Sequence, residues 1–487
     1  MAISTEKETL RNYIGGKWVE AAGTETLPDI DPATGDLAAE VPLSNRSDID
    51  AAVAAASAAK EEWRAVPPQQ RARSVMALRE ILTEHREEIA ALVTADMGKT
   101  LPDASAEVQR GIESVEAATA IPHLMKGENL EGIASGMDVE MVRQPVGVVA
   151  AITPFNFPAM IPLWFLPFAV ACGNSFILKP SERDPRPAVR IFELAAETGA
   201  FPEGVLNLVH GAREAVEGIL EHPGIDAISF VGQASTARIV ATRSAESGKR
   251  VQALGGAKNS LIVMPDADLD KSVPAILSSS FGAAGQRCLA GSVLVAVGDK
   301  ARQDEVRDAL VEAASELVTG PGDGADTDVC PMVAPDSRQR AEDAVTAAEK
   351  AGDEVVLDGR LGGGDPGTFL GPTIVETSDP EGQLAREELF GPVLAFWRAD
   401  DLDEAIEFSN GSRYGNAGSI FTESGEAVRQ YRYGIEAGML GVNIGVPAPV
   451  AWFPFSGWKD SIDGDLHANG HDAVEFYTRK KVVTSRW

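Results

Sequence analysis

The segment "FGAAGQRCLAGS", Phe281 to Ser292, places Cys288 directly after Arg287, in a run of residues too small to shield it. The thiolate is the nucleophilic form of cysteine, and neighbouring cations favour it. Arg287 brings a fixed positive charge, and the Gly, Ala and Ser neighbours leave room for an electrophile to approach. The chain holds 3 cysteines in 487 residues. Cys172, inside "FAVACGN", reads as a buried structural thiol, and Cys330, in "DTDVCP", as a loop thiol. Cys288 alone has the setting of a nucleophile that could form a covalent adduct with a substrate.

Other stretches could serve such a nucleophile. "TPFNFP" carries Asn156 between apolar residues and prolines. If buried, its amide needs partners, and it either holds a turn or donates to an oxyanion. "SFILKPSERDP" puts Lys179 and Glu182 at the carboxyl end of an apolar strand, where open α/β sheets bind ligands. There a lysine can hold a phosphate or ribose oxygen, and a carboxylate can accept from ribose hydroxyls. The same pair also suits an ordinary surface ion pair. "FVGQAS" ends another strand and opens a helix, whose first N–H groups can face a pyrophosphate. No metal site is expected: the 6 histidines are scattered, and "DADLD" lacks the Gly and distal Glu of a calcium loop, so it reads as a helix start. "GGGDPG", Gly362 to Gly367, matches G-x-G-x-x-G, but its flanks read as a turn.

The elements that must position these residues fall into two regimes. "DIDAAVAAASAAKEEW" predicts a helix capped by Asp48, "PQQRARSVMALREILTEHREEIAALVTADMG" a second that stops at Gly98, and "ASAEVQRGIESVEAATA" a third. Then short apolar runs, "VGVVAAITP", "NSFILKPS", "GVLNLVHG" and "AISFVG", alternate with helical segments such as "RPAVRIFELAAETG". Fully apolar strands between helices predict a parallel sheet covered on both faces, a doubly wound α/β domain. A second α/β stretch follows "SLIVMPDADLD", and "AVEFYTRKKVVTSRW" supplies a terminal strand.

Length predicts two or three domains. The chain carries 73 acidic against 43 basic residues, a net charge of −30. Such a field excludes nucleic acid and anionic lipid as partners. Because the acids are dispersed, they suggest a protein kept soluble at high salt, the halophilic condition. Few cysteines and no apolar leader suggest a reducing cytoplasm. The apolar stretch "FPAMIPLWFLPFAVACGNSFIL" is interrupted by Pro162 and Pro167 and punctuated by Gly173 and Asn174, against a membrane span.

"TPFNFP", "ILKPSE", "FVGQ", "GQRC" and "EELFGPV" occur in the order and approximate spacing of the aldehyde dehydrogenase superfamily, and the resemblance covers essentially the whole chain. "VQALGGAKNSLIVMPDADLD", "LGVNIGVPAPVAWFPFSGWKDS" and "GDLHANGHDAVEFYTRKKVVTSRW" closely resemble the CoA-acylating methylmalonate-semialdehyde dehydrogenases. The resemblance implies that Cys288 attacks the aldehyde and that Asn156 with the Cys288 N–H forms the oxyanion hole. It implies NAD as cofactor, with Glu388 and Phe390 at the nicotinamide half and Thr153 and Phe155 nearby. Lys179, Glu182 and Arg183 serve the adenosine half, while Gln233 and Gly255 line the cofactor path. Gln233 stands where many relatives have Ser or Thr.

Hydrolytic relatives carry "ELGGK", with Glu as the base that activates water; here the segment reads "LGGAK" and Leu254 takes that place. General-base help is typically worth about 10²–10⁴-fold. Without it a thioester waits for a thiol, and CoA becomes the expected co-substrate. A carboxylated semialdehyde needs cations, which Arg110 and Arg287 would supply; Arg110 equally suits a helix-surface pair with Glu107 or Glu113. In the resembling enzymes loss of CO₂ gives propionyl-CoA or acetyl-CoA. The rival readings are a non-acylating dehydrogenase of another acidic semialdehyde, a non-catalytic protein on the same fold, and a thiol esterase. The implied architecture is an NAD-binding domain (1–124 and 146–254), a catalytic domain (255–455) and a small β oligomerisation element (125–145 and 456–487). It implies a homo-oligomer, dimer or tetramer, in valine or inositol catabolism.

Overall fold

The computed structural model describes residues 9–362 and 367–487. Most of "GGGDPG" therefore lies outside the described residues. Two large sheets organise the chain. In the first the strands run in the order Lys17–Val19, Asn12–Ile14, Leu206–Leu208, Ser175–Lys179, Val148–Ile152, Ala227–Val231, Arg250–Leu254 and Ile462–Asp463. The five central strands are parallel and the outer pairs antiparallel. Val148–Ile152, Ser175–Lys179 and Ala227–Val231 are buried at every position. That is why they read as unbroken apolar runs rather than alternating ones.

Register places the chemistry. Ile152 pairs with Lys179 and with Phe230, and Val231 pairs with Leu254. The chain therefore leaves these strands along one carboxyl edge, where Asn156, Glu182, Gln233 and Gly255 follow. The second sheet runs in the order Glu354–Leu357, Thr373–Glu376, Val393–Ala399, Gly291–Val297, Asn259–Val263, Ala417–Phe421 and Met439–Val442, parallel except for its first pair. Here the amino ends carry the candidates. Cys288 precedes Gly291, and Glu388 precedes Val393. The site forms where the carboxyl edge of one sheet meets the amino edge of the other.

A third, antiparallel sheet joins Glu128–Ala134, Met137–Pro145 and Thr478–Arg486. Of the residues 456–487 assigned to it from sequence, only this last strand enters it. Ile462–Asp463 closes the edge of the first sheet, and the helix Gly470–Tyr477 packs on Met160–Ala171.

Other local expectations are corrected. The first helix, Arg46–Ala65, is capped by Asn45, and Asp48 is the reciprocal member of a capping box. The apolar pattern expected as one helix is two, Pro68–Glu84 and Arg86–Met97, parted at His85; the second stops at Gly98 with φ 89°. The strands before residue 43 escaped a reading that saw mainly helices there, because they are short and only partly buried. The apolar stretch forms a helix of 12 residues, Met160–Ala171, with Pro167 inside. Among the described residues no helix is long and apolar enough to cross a membrane.

Candidate active site

Cys288 follows a 3-10 turn, Gly282–Gly285, in which Ala283 and Ala284 hold φ of 51° and 52°. This left-handed backbone disfavours larger side chains. A Cβ on Gly285 would collide with the carbonyl of Gly391. The small residues read as leaving space for substrate thus also allow a tight coil against the Glu388 loop. The Cys288 carbonyl is pinned by two amides, Asn259 Nδ2 at 2.9 Å and Asn416 Nδ2 at 2.8 Å.

Cys288 is the only residue, among those described, that lines both of two adjoining cavities. One, of about 220 Å³, is bounded by Arg110, Arg287, Phe157, Trp164, Phe455 and Asn469. The other, of about 130 Å³, is bounded by Phe155, Asn156, Gln233, Gly255, Glu388 and Phe390. Lys179, Glu182, Arg183 and Thr153 line neither. Lys179 is buried and bonds Glu182 at 2.7 Å, Arg183 pairs with Asp336 at 3.2 Å, and the Thr153 N–H donates to the Lys179 carbonyl at 3.1 Å. Cys330, expected as a loop thiol, is fully buried like Cys172.

The charge pattern departs from expectation. Burial, with the Glu388 charge adding to it, pushes the Cys288 thiol up to about 12. Lys99, not Arg287, is the cation that opposes this shift. Arg287 is engaged with Asp103 at 2.9 Å and with the Ser278 carbonyl at 3.3 Å. Arg110 pairs with Glu113 at 2.9 Å, as its helix spacing allowed, yet it also faces the larger cavity. Glu107, considered as an alternative partner, is buried and bonds Lys99 at 2.5 Å.

Asn156 is 3% exposed and its Nδ2 donates to the Gln286 carbonyl at 3.0 Å. The amide therefore ties itself to the turn before Cys288, and its second N–H donates to no other described residue. Glu388 is held by the Ala257 N–H at 3.0 Å, and burial raises its carboxyl to about 7 against the pull of that bond and of Lys258. A Cβ on Gly256 would fall 2.6 Å from Glu388 Oε2, and one on Gly255 would fall 3.2 Å from the Ala234 backbone. The bare Cα of Gly255 lets the chain pack against the Asp460 carbonyl oxygen, 2.7 Å from where a Cβ would stand, and Gly255 lines the smaller cavity. Phe155 and Phe390 meet edge to face at 5.8 Å on its wall. A cradle lined by backbone and aromatic rings, beside a carboxylate, fits a dinucleotide.

A thiol shared by two cavities, one bordered by guanidiniums and one by aromatic rings and a carboxylate, marks the candidate site. The chain belongs to the aldehyde dehydrogenase family, whose profile matches residues 18–483. It is 52% identical to malonate-semialdehyde dehydrogenase 2 of Geobacillus thermodenitrificans over 99% of this chain and 100% of that one. It is 49% identical to a malonate-semialdehyde dehydrogenase of Halalkalibacterium halodurans over the full length of both. Its fold matches a structure from Sinorhizobium meliloti 1021, described as a methylmalonate-semialdehyde dehydrogenase complexed with NAD, at TM-score 0.97 and 41% identity, covering 99% of each chain. A methylmalonate-semialdehyde dehydrogenase of Oceanimonas doudoroffii matches at TM-score 0.96 and 42% identity, covering 99% and 98%.

Sequence reasoning missed Lys99, Asn259, Asn416 and Asn469. For Lys99 a signal existed: a lysine directly after a helix-stopping glycine and before a capping Thr100 is an unusual buried position. The three asparagines carry no local signal.

Proposed function

We propose that the chain oxidises malonate or methylmalonate semialdehyde with NAD⁺ and passes the acyl group to CoA. The observation that carries this is the position of Cys288 between the arginine-bearing cavity and the dinucleotide cradle, with Leu254 in place of a base. The Cys288 thiol loses its proton to solvent, its thiolate attacks the aldehyde carbon, and the oxygen gains negative charge. The Asn156 amide and the Cys288 N–H would stabilise that oxygen, worth roughly 3–4 kcal/mol per donor at comparable sites. NAD⁺ supplies the hydride acceptor. Glu388, Phe390, Phe155, Gln233 and Gly255 would hold its nicotinamide side, and Lys179, Glu182 and Arg183 its adenosine side. Loss of hydride from the adduct leaves a thioester on Cys288.

Leu254 is 5% exposed and ends the strand Arg250–Leu254. A leucine accepts no proton, so water is a poor nucleophile here and the thiol of CoA takes the acyl group, displacing Cys288. Arg110 and Arg287 would hold the substrate carboxylate until it leaves as CO₂, and the enolate left behind takes a proton from solvent to give acetyl-CoA or propionyl-CoA. Similarity to the named relatives favours this substrate class over other acidic aldehydes. The three-sheet division into NAD-binding, catalytic and oligomerisation parts follows the same reading. Leu130, Val482 and Trp487 are 62%, 64% and 86% exposed on or beside the third sheet, which supports a dimer or tetramer. The net charge of −30 supports work in a saline cytoplasm, and the substrate class fits valine or inositol breakdown.

The test is NADH formation from both semialdehydes and from propionaldehyde, with and without CoA, at low and high salt. Turnover that needs CoA and prefers the carboxylated substrates supports the proposal. Brisk CoA-free oxidation to the free acid would establish the non-acylating alternative instead.

A further inference from the structure

We propose that Asn469 is a substrate-binding residue, its side-chain amide donating to the carboxylate of the semialdehyde. The inference rests on the substrate class proposed above. Four side chains with N–H donors line the larger cavity beside Cys288: Arg110, Arg287, Asn469 and the indole of Trp164. Each guanidinium already holds a carboxylate in the same cavity, Glu113 for Arg110 and Asp103 for Arg287, both at 2.9 Å. An incoming carboxylate must share those cations. Asn469 has no such competitor.

The state of Asn469 is unusual on three counts. It is 4% exposed, yet its Oδ1 has no hydrogen-bond partner and its Nδ2 makes no hydrogen bond to any described residue. Buried amides are almost always paired; the free Nδ2 is the end that can donate to a carboxylate, while the Oδ1 acceptor is one an anion does not satisfy. It stands at the N-cap of the helix Gly470–Tyr477, where an asparagine normally accepts from the first turn, but it makes no capping bond. Its backbone has φ 68° and ψ 174°, a conformation almost confined to glycine. Glycine would relieve the backbone, so the side chain is kept against a local preference. A neutral donor complements the clamp without adding to its charge, and it reaches the cavity from an element separate from those of both arginines.

The conformation supplies a clean variant, since Asn469→Gly keeps the backbone and deletes the amide. The experiment measures kcat/KM for malonate semialdehyde and for propionaldehyde, with NAD⁺ and CoA saturating, in wild type, Asn469→Gly and Asn469→Asp. Asn469→Gly is expected to keep or raise the melting temperature. It should lower kcat/KM for the semialdehyde about ten- to hundredfold, mainly through KM, and leave propionaldehyde unchanged. Asn469→Asp should lose more for the semialdehyde, by like-charge repulsion. If wild type does not prefer the carboxylated aldehyde, the substrate reading fails and this inference with it. If the preference exists and survives both substitutions, only the role of Asn469 is overturned.

Discussion

The Lys99 ammonium lies 2.6 Å from the main-chain oxygen of Asn156. The same nitrogen bonds Glu107 and sits 3.6 Å above the Phe157 ring, and Glu107 accepts from the N–H groups of Ala159 and Met160. One buried ion pair thus grips both sides of the loop that carries Asn156. Removing one partner of such a pair leaves a buried charge uncompensated, at about 3–5 kcal/mol. Lys99→Met and Glu107→Ala should each lower stability by about that amount in urea unfolding. The double variant Lys99→Met/Glu107→Leu should recover part of the loss in stability. Its kcat should stay low, because Asn156 has lost its anchor. Equal stability of single and double variants would contradict the pairing.

Arg110 separates binding from folding. Its pair with Glu113 is a half-buried helix contact, worth a few tenths of a kcal/mol. Arg110→Ala should therefore leave the melting temperature within a degree or two, while KM for malonate semialdehyde rises at least tenfold. A matching rise for propionaldehyde would assign Arg110 to structure alone.

The proposed acyl transfer to CoA makes Leu254 the residue that keeps water from the thioester. Leu254→Glu restores a proton acceptor at the end of its strand and should raise CoA-free NADH formation by about 10²-fold or more. The glutamate enters a site 5% exposed, so a lowered melting temperature is expected alongside. Folded Leu254→Glu protein that still turns over only with CoA would show that water is excluded by other means.

Glu388 sets two pH dependences. Its carboxyl, raised by burial to about 7, holds a proton in the folded chain at pH values where the unfolded chain has released it. Between its ordinary value near 4.5 and about 7 the folded state binds more protons, so stability falls as pH rises through that window. Glu388→Gln should flatten this slope in ligand-free protein, measured by thermal unfolding from pH 5 to 8.

The second dependence is chemical. Burial raises the Cys288 thiol most, and the Glu388 charge raises it further, so the ligand-free thiol should alkylate slowly with iodoacetamide at pH 8. Removing that charge in Glu388→Gln should speed alkylation several-fold at the same pH. A rate unchanged by the substitution would show that Glu388 does not hold the proton on sulfur.

Local pattern made much of this protein legible. Unbroken apolar runs such as "VGVVAAI" announced buried parallel strands, because a strand covered on both faces has no polar side to alternate with. Gly98 ended its helix in left-handed geometry, as glycine is suited to do. Cys288 and Leu254 were identifiable because what they can or cannot do belongs to the side chain itself.

Charge pairing was not legible. Arg287 reads as the natural partner of its neighbour Cys288, but it turns to Asp103, and the cation that acts on the sulfur comes from Lys99. Asn469 carries no signal in sequence, and only the fold shows it without a capping bond and lining the cavity beside Cys288. Sequence specifies local conformation and reactivity through short-range sterics and chemistry. Which charges meet depends on how the carboxyl edge of one sheet is set against the amino edge of another, across contacts between residues far apart in the chain, and only the tertiary structure decides that.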